Sequence, residues 1–290
     1  MDKCMNDYFL FGSQIKICCE FDNFNVSAGK SLYEVIRISD GMPVFLMEHL
    51  DRLENSAKIM KYNITIKRDE IITGILELIN KNKVDGNLKL VVNYEGSLDT
   101  CETFNEKFLA YFVPHVYPTK EQYNEGVETI TYHGQRSNPN AKVINSEFRE
   151  KVNEKINKEK VYEAILVDDD GFITEGSKSN IFMVQGSKVI TSKVENVLPG
   201  ITRQFILKVC DRLNISVEEK NIHESDIKSL SALFISGTSP KVLPIKSVDG
   251  FSFNSSKNDI INLIIMGFEV ELKEDKQKFV KFFQNRTINK

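Results

Sequence analysis

The chain has 290 residues, 41% of them hydrophobic and 27% charged, with a formal net charge of −3. That length buries a sizeable core and favours one large domain or two smaller ones. The balanced charge, with no dense basic patch, speaks against a nucleic-acid partner. The longest apolar stretch, around residues 260–268, is too short and too interrupted to span a bilayer. Residues 1–19 show no basic segment followed by an apolar run, the pattern of a secretory signal. Five cysteines (Cys4, Cys18, Cys19, Cys101 and Cys210) form no CxxC pair. Such an odd, scattered set predicts reduced thiols, a cytoplasmic location and no metal site.

Residues 31–38 alternate apolar and polar, Asp40-Gly41 makes a turn, and residues 43–46 resume the strand, so the segment reads as a hairpin. Leu50, Leu53, Ala57 and Met60 fall at helical spacing within 48–62. Ile71, Ile72, Ile75, Leu76 and Ile79 do the same within 68–82, and residues 87–94 and 108–116 read as strands. The first part is therefore an α+β unit with a mostly antiparallel sheet. Residues 117–126 turn polar and irregular, which places a linker at 119–125 between a domain at 1–118 and another at 126–290. Beyond it, strands are expected at 127–132, 163–168 and 181–191, the last folded back at Gly186. A helix at 201–213, strands at 232–236 and 242–247, and a helix at 259–283 with a possible break at Gly267 complete the pattern.

Three turns and one helix carry residues able to do chemistry. In Leu198-Pro199-Gly200-Ile201-Thr202-Arg203 a Pro-Gly turn opens a helix, whose first amides point outward and suit a phosphate. Ser236-Gly237-Thr238-Ser239-Pro240, after a strand, offers further amides and hydroxyls. Glu175 follows the strand-like Phe172-Ile173 and precedes Gly176; a protonated ring nitrogen would partner it as well as any ordinary turn contact would. Arg52 stands at the edge of the Leu50–Leu53 apolar stripe, and His49 beside it reads as structural. For a nucleophilic lysine, Lys142 lies in a loop low in charge, but Lys30, Lys178 and Lys241 also neighbour candidate turns, and spacing alone does not choose among them.

Taken together and in order, these segments resemble the fold type IV pyridoxal-phosphate enzymes, the class IV aminotransferases. That family includes branched-chain and D-amino acid aminotransferases and aminodeoxychorismate lyases. The pieces are Tyr33-Glu34-Val35-Ile36-Arg37, His49-Leu50-Asp51-Arg52-Leu53, Lys142 with Asn145, Glu163-Ala164-Ile165-Leu166, Glu175-Gly176, Ser179-Asn180-Ile181-Phe182, the Leu198 turn and the Thr238 turn. The resemblance implies a two-domain α+β fold, with a smaller N-terminal α/β sandwich and a larger cofactor-binding domain built on a β-barrel-like sheet. It selects Lys142, 33 residues before Glu175, as the lysine of the internal aldimine. Glu175 would bind the pyridine nitrogen. Arg52, the amides of Ile201 and Thr202, and Thr238 would hold the phosphate, while Leu198 would pack beneath the ring. Tyr33, Arg37, Tyr94 and Ser239 are the candidates for contact with substrate.

The activity so implied is transamination of a small amino acid with a keto acid, with pyridoxal 5′-phosphate as cofactor and a homodimer as the assembly. A lyase of the aminodeoxychorismate type is the alternative, and a non-catalytic binding module on the same fold a third reading. The chain departs from the family in three places. Ser146 and Glu147 stand where many members carry a Tyr after the lysine. Ala28 or its neighbours stand where branched-chain enzymes carry another Tyr, and Tyr94 and Glu95 stand near a position where the family places an Arg. Substrate recognition therefore differs from that of either well-known subgroup.

Overall fold

The computed structural model describes residues 3–24, 30–95, 105–136, 138–144 and 146–288. One compact unit comprises Met1–Val116, Ala141–Ile144 and Asp275–Lys290. In chain order it contains β1 (Met5–Phe11), β2 (Gln14–Ile17), the short α1 (Phe21–Phe24), β3 (Lys30–Ser39), β4 (Met42–Pro43), α2 (Leu46–Ile59), α3 (Arg68–Asn82), β5 (Gly86–Glu95) and β6 (Asn105–Val113). The strands form one sheet in the order β2-β1-β6-β5-β3-β4, each pair antiparallel.

Strand alternation sorts this sheet into two faces. Leu32, Ile36 and Ile38 of β3, with Leu88, Leu90, Val92, Phe108, Ala110 and Phe112, pack against Leu50, Leu53 and Ala57 of α2 and Ile72, Ile75 and Ile79 of α3. Tyr33 joins the opposite face with Phe9, Phe21, Val91, Leu109 and Tyr111. Asp40 (φ 55°) and Gly41 (φ 70°) are both left-handed, as the mirror-image two-residue hairpin turn requires. The returning strand β4 stops at Pro43, because the chain enters α2 at Leu46 instead of continuing to 46 as a strand. The Asp275 carboxylate takes up the Phe45 amide at that helix start, at 2.7 Å.

Two features of this unit correct the sequence expectations. β1 and β2 were not foreseen, and β1 pairs with β6 far along the chain. Cys4 and Cys18 are joined as a disulfide, with Cα atoms 6.2 Å apart, so the expectation of reduced thiols fails for this pair. The β1–β2 hairpin brings the two residues together, and nothing in their spacing announces it. Cys19 and Cys210 are free, and Cys101 lies outside the described residues.

The second unit comprises Tyr117–Asn140 and Asn145–Glu274. Its elements are α4 (Lys120–Glu125), β7 (Val127–His133), α5 (Ser146–Glu159), β8 (Glu163–Val167), β9 (Ile173–Gly176), β10 (Asn180–Gln185), β11 (Lys188–Thr191), α6 (Ile201–Arg212), β12 (Val217–Glu219), β13 (Ala232–Gly237), β14 (Lys241–Val248), β15 (Phe251–Ser252) and α7 (Asp259–Ile288), whose residues from Asp275 onward group with the first unit. The stretch read as a polar linker forms α4, because Thr119 and Gln122 close a reciprocal capping box at its start.

The sheet runs β12-β11-β10-β13-β14-β7-β8-β9, with β15 on β14. The Ile173 amide of β9 donates to the Ile222 carbonyl, just past β12, at 2.8 Å, so the curled sheet meets itself as a barrel does. Ile165, Ile173, Ile181, Met183, Leu233, Ile235, Leu243 and Ile245 fill its interior. On the outer face Phe182 and Phe234 stack in parallel, with centroids 4.9 Å apart. Gly267 does not break α7. It lies in a continuous helix where an added Cβ would strike Val209 of α6, so the glycine serves close helix packing.

Candidate active site

In the first unit the helical spacing of His49 and Arg52 puts both on one face of α2. There they converge on Glu34, which is fully buried on the helix-facing side of β3. Arg52 grips Glu34 as a fork, with Nε to Oε1 at 2.8 Å and Nη2 to Oε2 at 2.6 Å, and His49 Nδ1 donates to Oε2 at 2.7 Å. Burial pushes the Glu34 carboxyl up, but the charge and hydrogen bonds of Arg52, joined by the hydrogen bond of His49, outweigh it and hold the group at about 2. Burial lowers His49 despite the pull of Glu34, leaving a neutral imidazole whose one N–H is spent on the carboxylate. Arg52 is thus buried and fixed in plane, not lying at the edge of the apolar stripe.

Residues 141–144 run along β3 on its side away from β5. Tyr33 N–H donates to Lys142 O at 3.1 Å, and Ile144 N–H donates to Ser31 O at 3.1 Å. The Lys142 amide donates to Ser56 Oγ of α2 at 3.2 Å. The half-buried Lys142 side chain carries Nζ to 4.6 Å from the centroid of the Tyr33 ring. Lys89 of β5, almost fully buried, brings a second Nζ to 5.2 Å from the same centroid. Arg37 shares the Tyr33 face of β3 by alternation. Tyr94 pairs with Lys30 in the β3–β5 ladder, but its side chain lies outside what is described, as does Asn145 altogether.

In the second unit Glu175 is the penultimate residue of β9, buried, with Oε1 2.9 Å from Nη2 of Arg136. Its Oε2 accepts the Leu198 amide at 3.2 Å, and the Leu198 carbonyl accepts Asn180 Nδ2 at 2.9 Å. Leu198 is therefore held by both its backbone N–H and its backbone C=O, just before α6. Gly200 is the N-cap of that helix, and its Cβ, if it had one, would fall on Asn180 Oδ1. The Ile201 and Thr202 amides open α6 with no acceptor among the described residues, as a first helical turn leaves them. Arg203 secures that turn, with Nη2 on Ser192 O at 3.2 Å and on Glu219 Oε2 at 2.8 Å. Glu163 braces the Glu175 turn, accepting the Lys178 amide at 2.6 Å and Ser179 Oγ at 3.0 Å, while burial raises its carboxyl above the usual range.

Thr238 and Ser239 occupy the tip between β13 and β14, half-buried. Beside them Ser236 Oγ is buried with no hydrogen-bond partner among the described residues. It lies in register with Asn180 on the neighbouring strand. A buried orphan hydroxyl and open helix amides together suit an anionic group approaching this end of the sheet. A buried carboxylate nearby on β9 suits a cationic ring nitrogen. The residues present fit pyridoxal phosphate.

Of the predicted residues, Tyr33, Arg37, Arg52, Tyr94 and Lys142 fall in the first unit, and Glu175, Leu198, Ile201, Thr202, Thr238 and Ser239 in the second. Sequence reasoning gave no role to Glu34 as the anchor of Arg52, to Lys89 beside Tyr33, or to Arg136 on Glu175. Each is an ionisable residue on an apolar strand or in a loop, and burial revealed it. For Glu34 a cue existed, since it shares strand parity with Leu32 and Ile36 and not with the polar side.

Residues 31–248 match the family model described as amino-transferase class IV. The chain is 31% identical to the D-alanine aminotransferase of Bacillus licheniformis over 234 residues, which is 78% of this chain and 82% of that protein. In fold it matches the branched-chain amino acid aminotransferase of Escherichia coli with a TM-score of 0.82 and 23% identity, covering 92% of this chain and 95% of the other. It also matches the PLP-form of the branched-chain amino acid aminotransferase from Thermobaculum terrenum, with a TM-score of 0.79 and 18% identity over 94% and 96% of the two chains.

Proposed function

We propose that this chain, which belongs to the class IV aminotransferases, is a pyridoxal-phosphate-dependent aminotransferase of a small amino acid with Lys142 as its reactive lysine. Pyridoxal phosphate, when bound, supplies the electron sink for charge that develops at the substrate α-carbon. Lys142 Nζ is the nucleophile that anchors the cofactor, and the base that takes up and returns the α-proton. Glu175 faces the ring nitrogen and keeps it protonated. Arg52, the Ile201 and Thr202 amides and Thr238 hold the phosphate, and Leu198 packs under the ring. Tyr33, Arg37, Tyr94 and Ser239 meet the substrate.

The observation that carries this reading is the Leu198 backbone, whose N–H meets Glu175 and whose C=O meets Asn180 where α6 presents its open amides. A domain division at 119–125, a homodimer and a cytoplasmic location belong to the same proposal. Assembly is read from the mass in solution.

The test is to purify the protein, add pyridoxal phosphate, and follow visible absorption and its loss with a panel of amino donors. Transfer of the amino group to a keto acid supports the reading. Pyruvate released without a second substrate would instead identify a lyase. A protein that stays colourless and takes up no cofactor overturns the reading altogether.

A further inference from the structure

Glu175 is not alone where it is expected to meet a ring nitrogen. Arg136 Nη2 lies 2.9 Å from its Oε1, and the side chains are 19% and 3% exposed. A buried carboxylate without a cation is costly, and a guanidinium is the one side chain that cannot give up its proton to relieve the pair. The loop that brings Arg136 is itself tied down: Asn140 Nδ2, four residues on, donates to Val194 O at 2.7 Å and to Val197 O at 2.8 Å. Those two carbonyls precede Leu198, whose amide holds the other Glu175 oxygen at 3.2 Å. Both oxygens of Glu175 are thus addressed by segments bonded to each other, and Lys142 follows Asn140 by two residues in the chain.

We propose that Arg136 is a positioning residue for the cofactor ring, keeping Glu175 ionised and fixing which way its carboxylate points. The inference rests on the cofactor reading above. When a carboxylate and a pyridine nitrogen share one proton, the proton can sit on either. A fixed positive charge against the carboxylate stabilises its anionic form more than it disturbs the more distant ring, so the proton moves to the nitrogen. Arg136 acts through Glu175 and touches no reacting atom.

The test uses the full chain, pyridoxal phosphate labelled with nitrogen-15 in the ring, and the variants Arg136→Gln, Arg136→Lys and Glu175→Gln. In the natural chain the ring-nitrogen shift is expected to read as pyridinium. In Arg136→Gln it should move toward the unprotonated value, and cofactor Kd should rise about tenfold, the equivalent of one unit of differential protonation. Arg136→Lys, which keeps the charge and spares the fold, should restore the pyridinium shift. In the Glu175→Gln background, replacing Arg136 should change neither readout. If the natural chain binds the cofactor and Arg136→Gln keeps the same shift and Kd, this inference falls while the aminotransferase reading stands. If the natural chain binds no cofactor, both fall.

Discussion

Lys142 Nζ stands 4.6 Å from the centre of the Tyr33 ring, on a backbone stitched to β3 through the Tyr33 amide itself. Tyr33 therefore serves the lysine twice, by backbone pairing and by the π face of its ring. The second contact is worth roughly 0.5–2 kcal/mol for a partly desolvated cation. Tyr33→Phe keeps the face and is expected to bind pyridoxal phosphate at close to the natural rate. Tyr33→Leu removes it and should alter that rate by about two- to thirtyfold, given 1.36 kcal/mol per decade. Lys142→Ala should yield no borohydride-reducible adduct. If the alanine variant still forms one, the reactive lysine lies elsewhere.

The Glu34 cluster makes the first unit sensitive to acid. Its carboxyl titrates at about 2 in the folded chain against 4.5 as the ordinary value. A depressed acid stabilises the fold above its unfolded pKa and loses that contribution as pH falls, here from about 4.5 toward 2. The stake is about 3 kcal/mol. Glu34→Gln leaves the Arg52 charge buried without its counter-ion, a loss of about 3–5 kcal/mol. Thermal unfolding of the variant at pH 7 should show a lower Tm and a flatter response between pH 4.5 and 2. An unchanged Tm would mean that Arg52 does not depend on Glu34.

Asp275 works in the opposite direction. Burial raises it from 3.8 to about 6, although the Phe45 amide lowers it and Glu48 raises it further. A raised acid contributes fully below its unfolded pKa, and its contribution fades as pH rises through the folded value, here between about 3.8 and 6. Asp275→Asn can still accept the Phe45 amide and carries no proton equilibrium. It is expected to gain roughly 1–2 kcal/mol at pH 7.5 after solvent screening and to match the natural chain near pH 4. Denaturant midpoints at the two pH values check this, and a loss at pH 7.5 would show that the charge itself is needed at the start of α2.

Periodicity made α3 and most strands legible, because Ile71, Ile75 and Ile79 or Ile181 and Met183 repeat at the spacing their element requires. The order of the motif segments, more than any one of them, pointed to the cofactor. Pairings across long stretches of chain were not legible. Arg136 meets a glutamate far downstream, β1 meets β6, and Cys4 meets Cys18 only because the β1–β2 hairpin closes. Glu34 shares strand parity with Leu32 and Ile36, but the partners that α2 supplies for it were not legible. Gly267 reads as a breaker until Val209 fills the space where a side chain would stand.

Gly200 tests the clamp around Leu198 most directly. Its φ of −63° is open to any residue, so alanine brings no backbone strain. The new Cβ would instead fall on Asn180 Oδ1, and the buried amide would have to turn away. Turning costs the 2.9 Å bond from Asn180 to the Leu198 carbonyl, about 1–3 kcal/mol when a buried acceptor is left unmet. Because the N–H of the same residue donates to Glu175, the displacement reaches the carboxylate expected at the cofactor ring. Gly200→Ala should therefore weaken pyridoxal-phosphate binding about tenfold or more, at 1.4 kcal/mol per decade. Asn180→Ala, which has no collision but lacks the bond, should lose a similar amount. Gly186→Ala supplies the control: it sits at φ 59° in the β10–β11 turn with open space around it, so it should lower Tm and leave the cofactor Kd alone. Equal Kd values for Gly200→Ala and the natural chain would show that the Leu198 peptide plays no part in holding the cofactor.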